Sequence, residues 1–160
     1  MKLLVVLFAI ATLCCPLFAQ SPSAPNSVYF ELLGNGLMYS LNYDRMFSES
    51  FGGRAGIGYF SPENEAVITF PIMLNYLYGS GNSKLELGGG ITVISQSENI
   101  SFQFKSSNKE FGGSGVLATI TIGYRYQKPE KGIVFRAGFT PFFGKIGFGL
   151  SFGASVGYGF

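Results

Sequence analysis

The chain has 160 residues, and only 12% of them are charged: 11 Lys and Arg together with 9 Asp and Glu. Soluble domains carry about 25% charged residues. The formal net charge of +2 gives no electrostatic footprint for nucleic acid, and the 17 Phe and 9 Tyr exclude an intrinsically disordered chain. Histidine is absent, which removes the commonest general base and the commonest metal ligand.

Residues 1–19 have the pattern of a secretory signal peptide. Lys2 supplies the positive charge before a short apolar stretch, Pro16 ends any helix, and Ala19 is a small residue suited to a cleavage site. The apolar stretch is shorter than the roughly 20 residues of a membrane-spanning helix. Residues 20–27 are rich in Ser and Pro and predict a short periplasmic lead-in.

Both cysteines, Cys14 and Cys15, lie within this signal peptide. A lipoprotein cysteine also follows an apolar run, but Leu13 stands before Cys14 where a lipobox has a small residue. Cleavage after Ala19 would leave no cysteine, so we expect no disulfide, no zinc site and no thiol nucleophile.

From Val28 onward, large apolar residues alternate with small or polar ones, a pattern typical of β-strands with one apolar face. Turns rich in Gly, Ser, Pro and Asn separate the alternating segments, and one long polar loop lies at 96–112. We therefore predict an all-β domain over residues 28–160, with antiparallel strands in an up-and-down arrangement. The eight predicted strands lie at about 28–34, 36–47, 51–60, 66–78, 84–95, 113–126, 132–142 and 148–160.

The composition of the two strand faces indicates which face meets which solvent. The smaller face is mostly Gly, Ser, Thr and Asn, whereas a face exposed to water should be about a quarter or more charged. Small residues fit the lumen of a narrow barrel, and the large aromatic face fits lipid. Because backbone groups in lipid have no water to bond, the sheet must close. The predicted fold is a transmembrane β-barrel.

Aromatic residues of the apolar face gather near one end of the predicted strands. We expect them to form a girdle at a membrane interface, although scattered packing in a core is an alternative. Tyr39, Tyr59 and Phe70 are candidates for a second girdle at the opposite end. The predicted girdle consists of Tyr43, Phe47, Tyr76, Tyr78, Tyr124, Tyr126 and Tyr158.

The last strand ends in Phe160, with Tyr158 two residues before it. This ending resembles the assembly signal that the outer-membrane insertion machinery recognises in bacterial barrels. With the signal peptide and eight strands, the mature chain is similar over nearly its whole length to the OmpA-type and OmpX-type barrel families. It departs from OmpX-type proteins, which have long protruding outer strands, because most loops here are short.

The resemblance implies an outer-membrane location in a Gram-negative bacterium, with membrane lipid and the insertion machinery as partners. If both termini are periplasmic, the turn 34–36 and the loop 96–112 face outward. Ile100, Phe102 and Phe104 alternate within that loop. They predict either a protruding hairpin edge that binds a partner or, as we favour, the outer ends of strands five and six.

Strand parity places six charged residues on the lumen face, three acids and three arginines. An unpaired buried charge costs several kcal/mol, and Arg can bind a carboxylate through two hydrogen bonds, so we expect ion pairs. The pairs would plug the lumen or, alternatively, form a gated polar path in which an arginine changes partner. The six residues are Glu31, Asp44, Arg54, Glu86, Arg125 and Arg136.

Catalytic and cofactor motifs are absent from the sequence. Known outer-membrane barrel enzymes depend on histidine, and without His the nucleophile schemes that need it are excluded. The glycines at 88–90 lie within a strand and lack the strand-turn-helix context of a phosphate loop. We predict no catalytic residue, no cofactor and no metal.

The predicted function is therefore a non-enzymatic outer-membrane barrel with a structural or surface-interaction role. A small porin or transporter of apolar or small polar solutes is one alternative. A secreted, soluble ligand-binding barrel is another.

Overall fold

The computed structural model describes residues 25–61, 66–96, 102–103, 110–111, 115–144 and 147–160. The predicted signal peptide and most of the loop 96–112 lie outside these residues. Within the described ranges, no helix is long and apolar enough to cross a membrane.

The described chain forms β-strands joined by turns and one 3₁₀ turn at Gly34–Gly36. The strands are β1 (Asn26–Leu33), β2 (Tyr39–Met46), β3 (Phe51–Phe60), β4 (Val67–Tyr78), β5 (Ser83–Gln96), β6 (Phe102–Gln103), β7 (Glu110–Phe111), β8 (Gly115–Gln127), β9 (Gly132–Phe139), β10 (Phe142–Gly144), β11 (Gly147–Gly149) and β12 (Phe152–Gly159).

The main sheet closes into a barrel of eight antiparallel strands. Strands β1 to β5 and β8 each pair with the next, β9 pairs with β8, and β12 closes the sheet between β9 and β1. The seventh barrel strand consists of β9 and β10, and the eighth of β11 and β12. Their register is continuous, since Phe139 pairs with Phe152 and Phe142 with Gly149. The predicted all-β, eight-stranded, up-and-down barrel is thereby confirmed.

The observed strands differ by a few residues from the approximate predicted bounds, and two of the differences have a local cause. β2 begins at Tyr39 and not at residue 36, because Gly34–Gly36 forms the 3₁₀ turn. The seventh strand is interrupted at Thr140 and Pro141, since proline has no N–H to donate to the ladder. The chain also enters the sheet at Asn26, before the expected start at Val28.

Side chains alternate between the lumen and the outer surface along every long strand. In β4, Ile72 and Leu74 are 54% and 55% exposed, whereas Met73 between them is 1% exposed. Polar residues occupy the inner face instead, among them Thr69 and Asn75, both fully buried. The barrel thus has an apolar outer face and a mostly polar interior.

The two ends of the lumen differ. At the end that carries both termini of the described chain, Asn26 and Phe160 exchange two backbone hydrogen bonds of 3.1 and 2.8 Å, so the closing strands are paired to their tips. At the opposite end, an apolar cluster fills the interior. This cluster consists of Phe60, Val67, Ile94, Leu117 and Phe142.

A second, two-stranded sheet lies in the long loop, where β6 pairs with β7. Phe102 pairs with Phe111, whereas the nearest pair of the barrel ladder is Ile94 with Gly115. The stretch of chain from Ile94 to Phe102 is longer than the stretch from Phe111 to Gly115. The small hairpin is therefore not a straight continuation of β5 and β8. Ile100 and Phe104 lie outside the described residues.

Candidate functional site in the barrel lumen

The charged residues of the lumen are the candidate site. The strand period of two turns them inward, and each is at most 4% exposed. The structure brings these six residues together as three ion pairs: Glu31 with Arg54, Asp44 with Arg125, and Glu86 with Arg136.

Asp44 and Arg125 form a two-point pair between opposite walls of the barrel. Arg125 Nη1 and Nη2 donate to Asp44 Oδ2 and Oδ1, each at 3.1 Å. Asn75 Nδ2 donates to Oδ2 of the same carboxylate at 3.0 Å. The remaining Arg125 donors reach Gln127 Oε1 at 2.8 Å and Ser27 Oγ at 3.4 Å. The guanidinium is thus used through all three of its nitrogens.

Glu86 and Arg136 form the second two-point pair. Arg136 Nε donates to Glu86 Oε2 at 2.8 Å, and Arg136 Nη2 donates to Oε1. The guanidinium carbon lies 4.6 Å from the centre of the Tyr29 ring, within the range of a cation–π contact. Tyr29 is 1% exposed, so this contact is shielded from water.

Glu31 and Arg54 form the third pair, and their hydrogen bonds are shared more widely. Arg54 Nη1 donates to Glu31 Oε1 at 3.2 Å and lies 3.4 Å from Tyr29 Oη. The Ser40 and Ser155 hydroxyls donate to the two Glu31 carboxylate oxygens, both at 3.4 Å. Arg54 therefore has several neighbouring acceptors.

The turn Gly34–Gly36 folds into the lumen, and all three of its residues are buried. Asn35 Oδ1 accepts from Arg54 Nη2 at 2.6 Å and from Thr121 Oγ1 at 2.9 Å. Its carbonyl oxygen accepts from Thr92 Oγ1 at 2.8 Å, and Thr69 Oγ1 donates to the following carbonyl at 2.9 Å. The turn joins β1 to β2 at the end of the barrel opposite Asn26 and Phe160, and it folds back from that end into the lumen. There, three lumen threonines provide its hydrogen-bond partners.

A small cavity of about 10 Å³ lies beside Glu31, Glu86 and Arg136. Among the described residues, Arg136 Nη1 and Thr140 Oγ1 line this cavity and have no hydrogen-bond partner. The volume suits about one water molecule. Nothing larger than a water molecule fits in a cavity of this size.

Glycines make up the wall of this cavity on three adjacent strands. Gly123 pairs with Gly138, and Gly138 pairs with Gly153. A Cβ on Gly123 would lie 2.7 Å from the Gly138 Cα, and one on Gly153 would lie 2.9 Å from the Gly34 Cα. Because only glycine permits such approach, the backbones of β8, β9, β12 and the inward turn pack closely together.

The predicted girdle residues lie on the barrel surface. Phe47 and Tyr126 are half-buried, and the other five are exposed: Tyr43, Tyr76, Tyr78, Tyr124 and Tyr158. Tyr43 and Tyr158 both pair with Val28, so they flank the same point of β1. Tyr158 and Phe160, the predicted assembly signal, are both exposed at the end of the closing strand.

The sequence pattern missed two parts of the site. Asn35 was assigned to a turn, and nothing in the local sequence shows that this turn points inward. The apolar cluster was also missed, although Ile94 and Leu117 have the parity of the lumen face. Within the described ranges, no group of three or more His, Cys, Asp or Glu residues could hold a metal ion.

No protein-family model matches the chain, and the comparison with curated proteins gave no match. Among solved structures, the chain is similar to the crystal structure of the N-terminal β-barrel domain of Pseudomonas aeruginosa OprF, with a TM-score of 0.64. The two share 15% sequence identity, and the similarity covers 88% of this chain and 98% of the OprF domain chain. The likeness concerns the fold. The chain therefore has the eight-stranded barrel fold of the OprF domain, which is the OmpA-type architecture that the sequence resembles.

Proposed function

We propose that this chain is an integral outer-membrane protein of a Gram-negative bacterium. Its role would be non-enzymatic, either structural or in surface interactions, with the lumen plugged by Glu/Asp–Arg pairs. The observation that carries the proposal is the inversion of the barrel: apolar side chains outside, charged and polar ones inside.

The outer face is far more apolar than a surface in water. On β8, Ile120 and Ile122 are 42% and 49% exposed, whereas Thr121 between them is buried. Large continuous apolar surfaces mark contact with a membrane or a partner. A secreted ligand-binding barrel would present the opposite arrangement, with an apolar pocket inside and polar residues outside.

The lumen is filled in a way that favours a plug. Three ion pairs, the inward turn and the apolar cluster occupy successive parts of the interior. Eight-stranded barrels have interiors just wide enough for side chains to fill. The role of this barrel would then lie at its surface, not in the passage of large solutes.

The export route and the partners are part of the same proposal. Residues 1–19 would act as a cleaved signal peptide and 20–27 as a periplasmic lead-in. The exposed Tyr158 and Phe160 would provide the assembly signal for the insertion machinery, and the aromatic girdle would contact the lipid interface. The loop 96–112, with its β6–β7 hairpin, is the candidate surface for a partner.

Membrane fractionation of the full chain tests the proposal. We expect the protein to sediment with outer membranes and to migrate differently on gels when heated, as folded barrels do. The matched variant is Phe160→Asp, which should reduce assembly while leaving synthesis unchanged. A protein that remains in the soluble fraction as a folded monomer without detergent would overturn the proposal.

A small porin or transporter is the second candidate function. The polar lumen supports it, because Arg54 already contacts several acceptors and could exchange them. Conductance in planar bilayers tests this function. Steady channels that Arg54→Ala alters would favour a pore, and a silent membrane containing folded protein would favour the plug.

A further inference from the structure

We propose that the turn Gly34–Gly36 is a removable plug of the lumen, and that its withdrawal admits water and small polar solutes. The inference rests on the proposed function, since it names how the closed lumen would be regulated. Its first basis is position: the turn joins β1 to β2 at the end opposite the termini, yet its residues are buried inside the barrel.

The hydrogen bonds that hold the turn can be released without exposing an unpaired buried charge. Asn35 is neutral, and its charged partner Arg54 keeps its ion pair with Glu31 when Asn35 leaves. The other donors are threonine hydroxyls, which water can satisfy. Opening any of the three ion pairs would instead leave a carboxylate and a guanidinium buried apart. The turn is therefore easier to displace than any of the three ion pairs.

The backbone on either side of the turn is strained in the inward conformation. Leu33 has φ 57° and ψ −144°, and Leu37 has φ 75° and ψ −82°. Both values of φ lie where side chains with a Cβ are rarely found. This strain destabilises the inward conformation of the turn, whereas the hydrogen bonds of Asn35 stabilise it. Such a balance is typical of an element with two positions.

The turn also separates two regions of the interior. Leu37 packs against the apolar cluster that fills the end opposite the termini. Gly34 lies against Gly153 on the other side, where an added Cβ on Gly34 would be 2.9 Å from the Glu31 carboxyl carbon. Withdrawal of the turn would open a space lined by Thr69, Thr92 and Thr121, which leads toward the ion pairs.

A cysteine reporter behind the plug tests the proposal. Thr92→Cys replaces a fully buried hydroxyl that bonds the Asn35 carbonyl. It is placed in the full chain with Cys14→Ser and Cys15→Ser, and the protein is folded in detergent. The measured quantity is the rate of reaction with a small, charged, water-soluble thiol reagent. The control is Tyr78→Cys on the exposed surface, which should react at one rate in all backgrounds.

Two substitutions, each combined with Thr92→Cys, should change the reaction rate of the reporter cysteine in opposite directions. Asn35→Ala removes the three side-chain hydrogen bonds of Asn35, with Arg54, Thr121 and Met73, and should raise the rate about tenfold or more. Leu33→Gly relieves the strained φ, removes only a 45% exposed side chain, and should lower the rate about fivefold or more. This order of rates supports the plug.

Any other order of the reaction rates contradicts the proposed plug. Contradicting results include equal rates for the reporter protein with and without the two substitutions, and a faster rate in Leu33→Gly than in the reporter protein alone. If Asn35→Ala does not fold, as judged by its gel migration, the Leu33→Gly comparison alone decides. Because the reaction is measured in detergent, it does not depend on where the protein resides in the cell. The outer-membrane location and the removable plug can therefore be supported or contradicted independently of each other.

Discussion

Asp44 and Arg125 pair across the full width of the barrel, with two 3.1 Å contacts between residues 81 positions apart in sequence. Three strands separate β2 from β8 in either direction around the sheet. Arg125 is also the direct cross-strand neighbour of Arg136. The distant carboxylate thus compensates a like-charge contact that the sheet register imposes.

Removal of one member of this pair should be strongly destabilising. Arg125→Ala leaves Asp44 buried without its ion pair and is expected to lower the free energy of unfolding by about 3–5 kcal/mol. Urea unfolding in detergent, followed by gel migration, measures the change. Arg45→Ala is the control, because Arg45 is exposed and should shift stability by less than about 0.5 kcal/mol.

The double variant Asp44→Leu, Arg125→Met removes both charges. It therefore distinguishes the loss of the ion pair from the cost of leaving one buried charge unpaired. Apolar replacement of both partners is often neutral, so this variant should be more stable than Arg125→Ala. A double variant that is less stable than Arg125→Ala would contradict the expected cause.

A charged residue introduced on the outer face should lower the free energy of unfolding more, the deeper it lies in the lipid. Ile120→Arg, near the middle of β8, is expected to cost about 2–4 kcal/mol in lipid vesicles. Tyr78→Arg, at the end of β4, should cost only about 0–1 kcal/mol. Equilibrium unfolding in vesicles gives both values. Equal and small effects would indicate that Ile120 faces water.

The close packing of strand backbones around the cavity should make Gly123 irreplaceable. Gly123→Ala would put a Cβ 2.7 Å from the Gly138 Cα and is expected to lower stability by about 1–3 kcal/mol. Gly89→Ala is the matched control, since nothing lies within 4 Å of its added Cβ. That variant should be neutral or more stable by about 0.4–1 kcal/mol. Similar losses in both variants would refute a specific backbone contact.

The apolar cluster should stabilise the end of the barrel opposite the termini. Phe142→Ala leaves a cavity among Phe60, Ile94 and Leu117 and is expected to cost about 3–5 kcal/mol. Phe143→Leu, on the outer face, should cost less than about 1.5 kcal/mol. Thermal and urea unfolding in the same detergent compare the two. A small loss for Phe142→Ala would show that the cluster is loosely packed.

The barrel was predictable because its signal is local. A period of two in residue polarity is visible within one strand, and turn chemistry marks where each strand ends. The same parity placed the six charged residues on one face. The partners were not predictable in this way. Asp44 stands directly across from Arg54 in the register, yet Asp44 binds Arg125 and Arg54 binds Glu31.

The inward direction of the first turn could not be predicted from the local sequence either. Gly34 and its neighbours predict a turn wherever it points. Its inward position depends on Thr69, Thr92 and Thr121, which come from three other strands. Such contacts are set by barrel closure, which brings together residues far apart in sequence.

Tryptophan fluorescence tests the membrane barrel most directly, because the chain contains no Trp. A single Trp is introduced by Ile120→Trp on the outer face or by Tyr29→Trp in the lumen, and the protein is folded into vesicles of lipid with brominated acyl chains. We predict strong quenching of Ile120→Trp by the brominated lipid and little quenching of Tyr29→Trp. Quenching of Ile120→Trp by aqueous acrylamide, with no effect of bromine, would contradict a lipid-facing apolar surface.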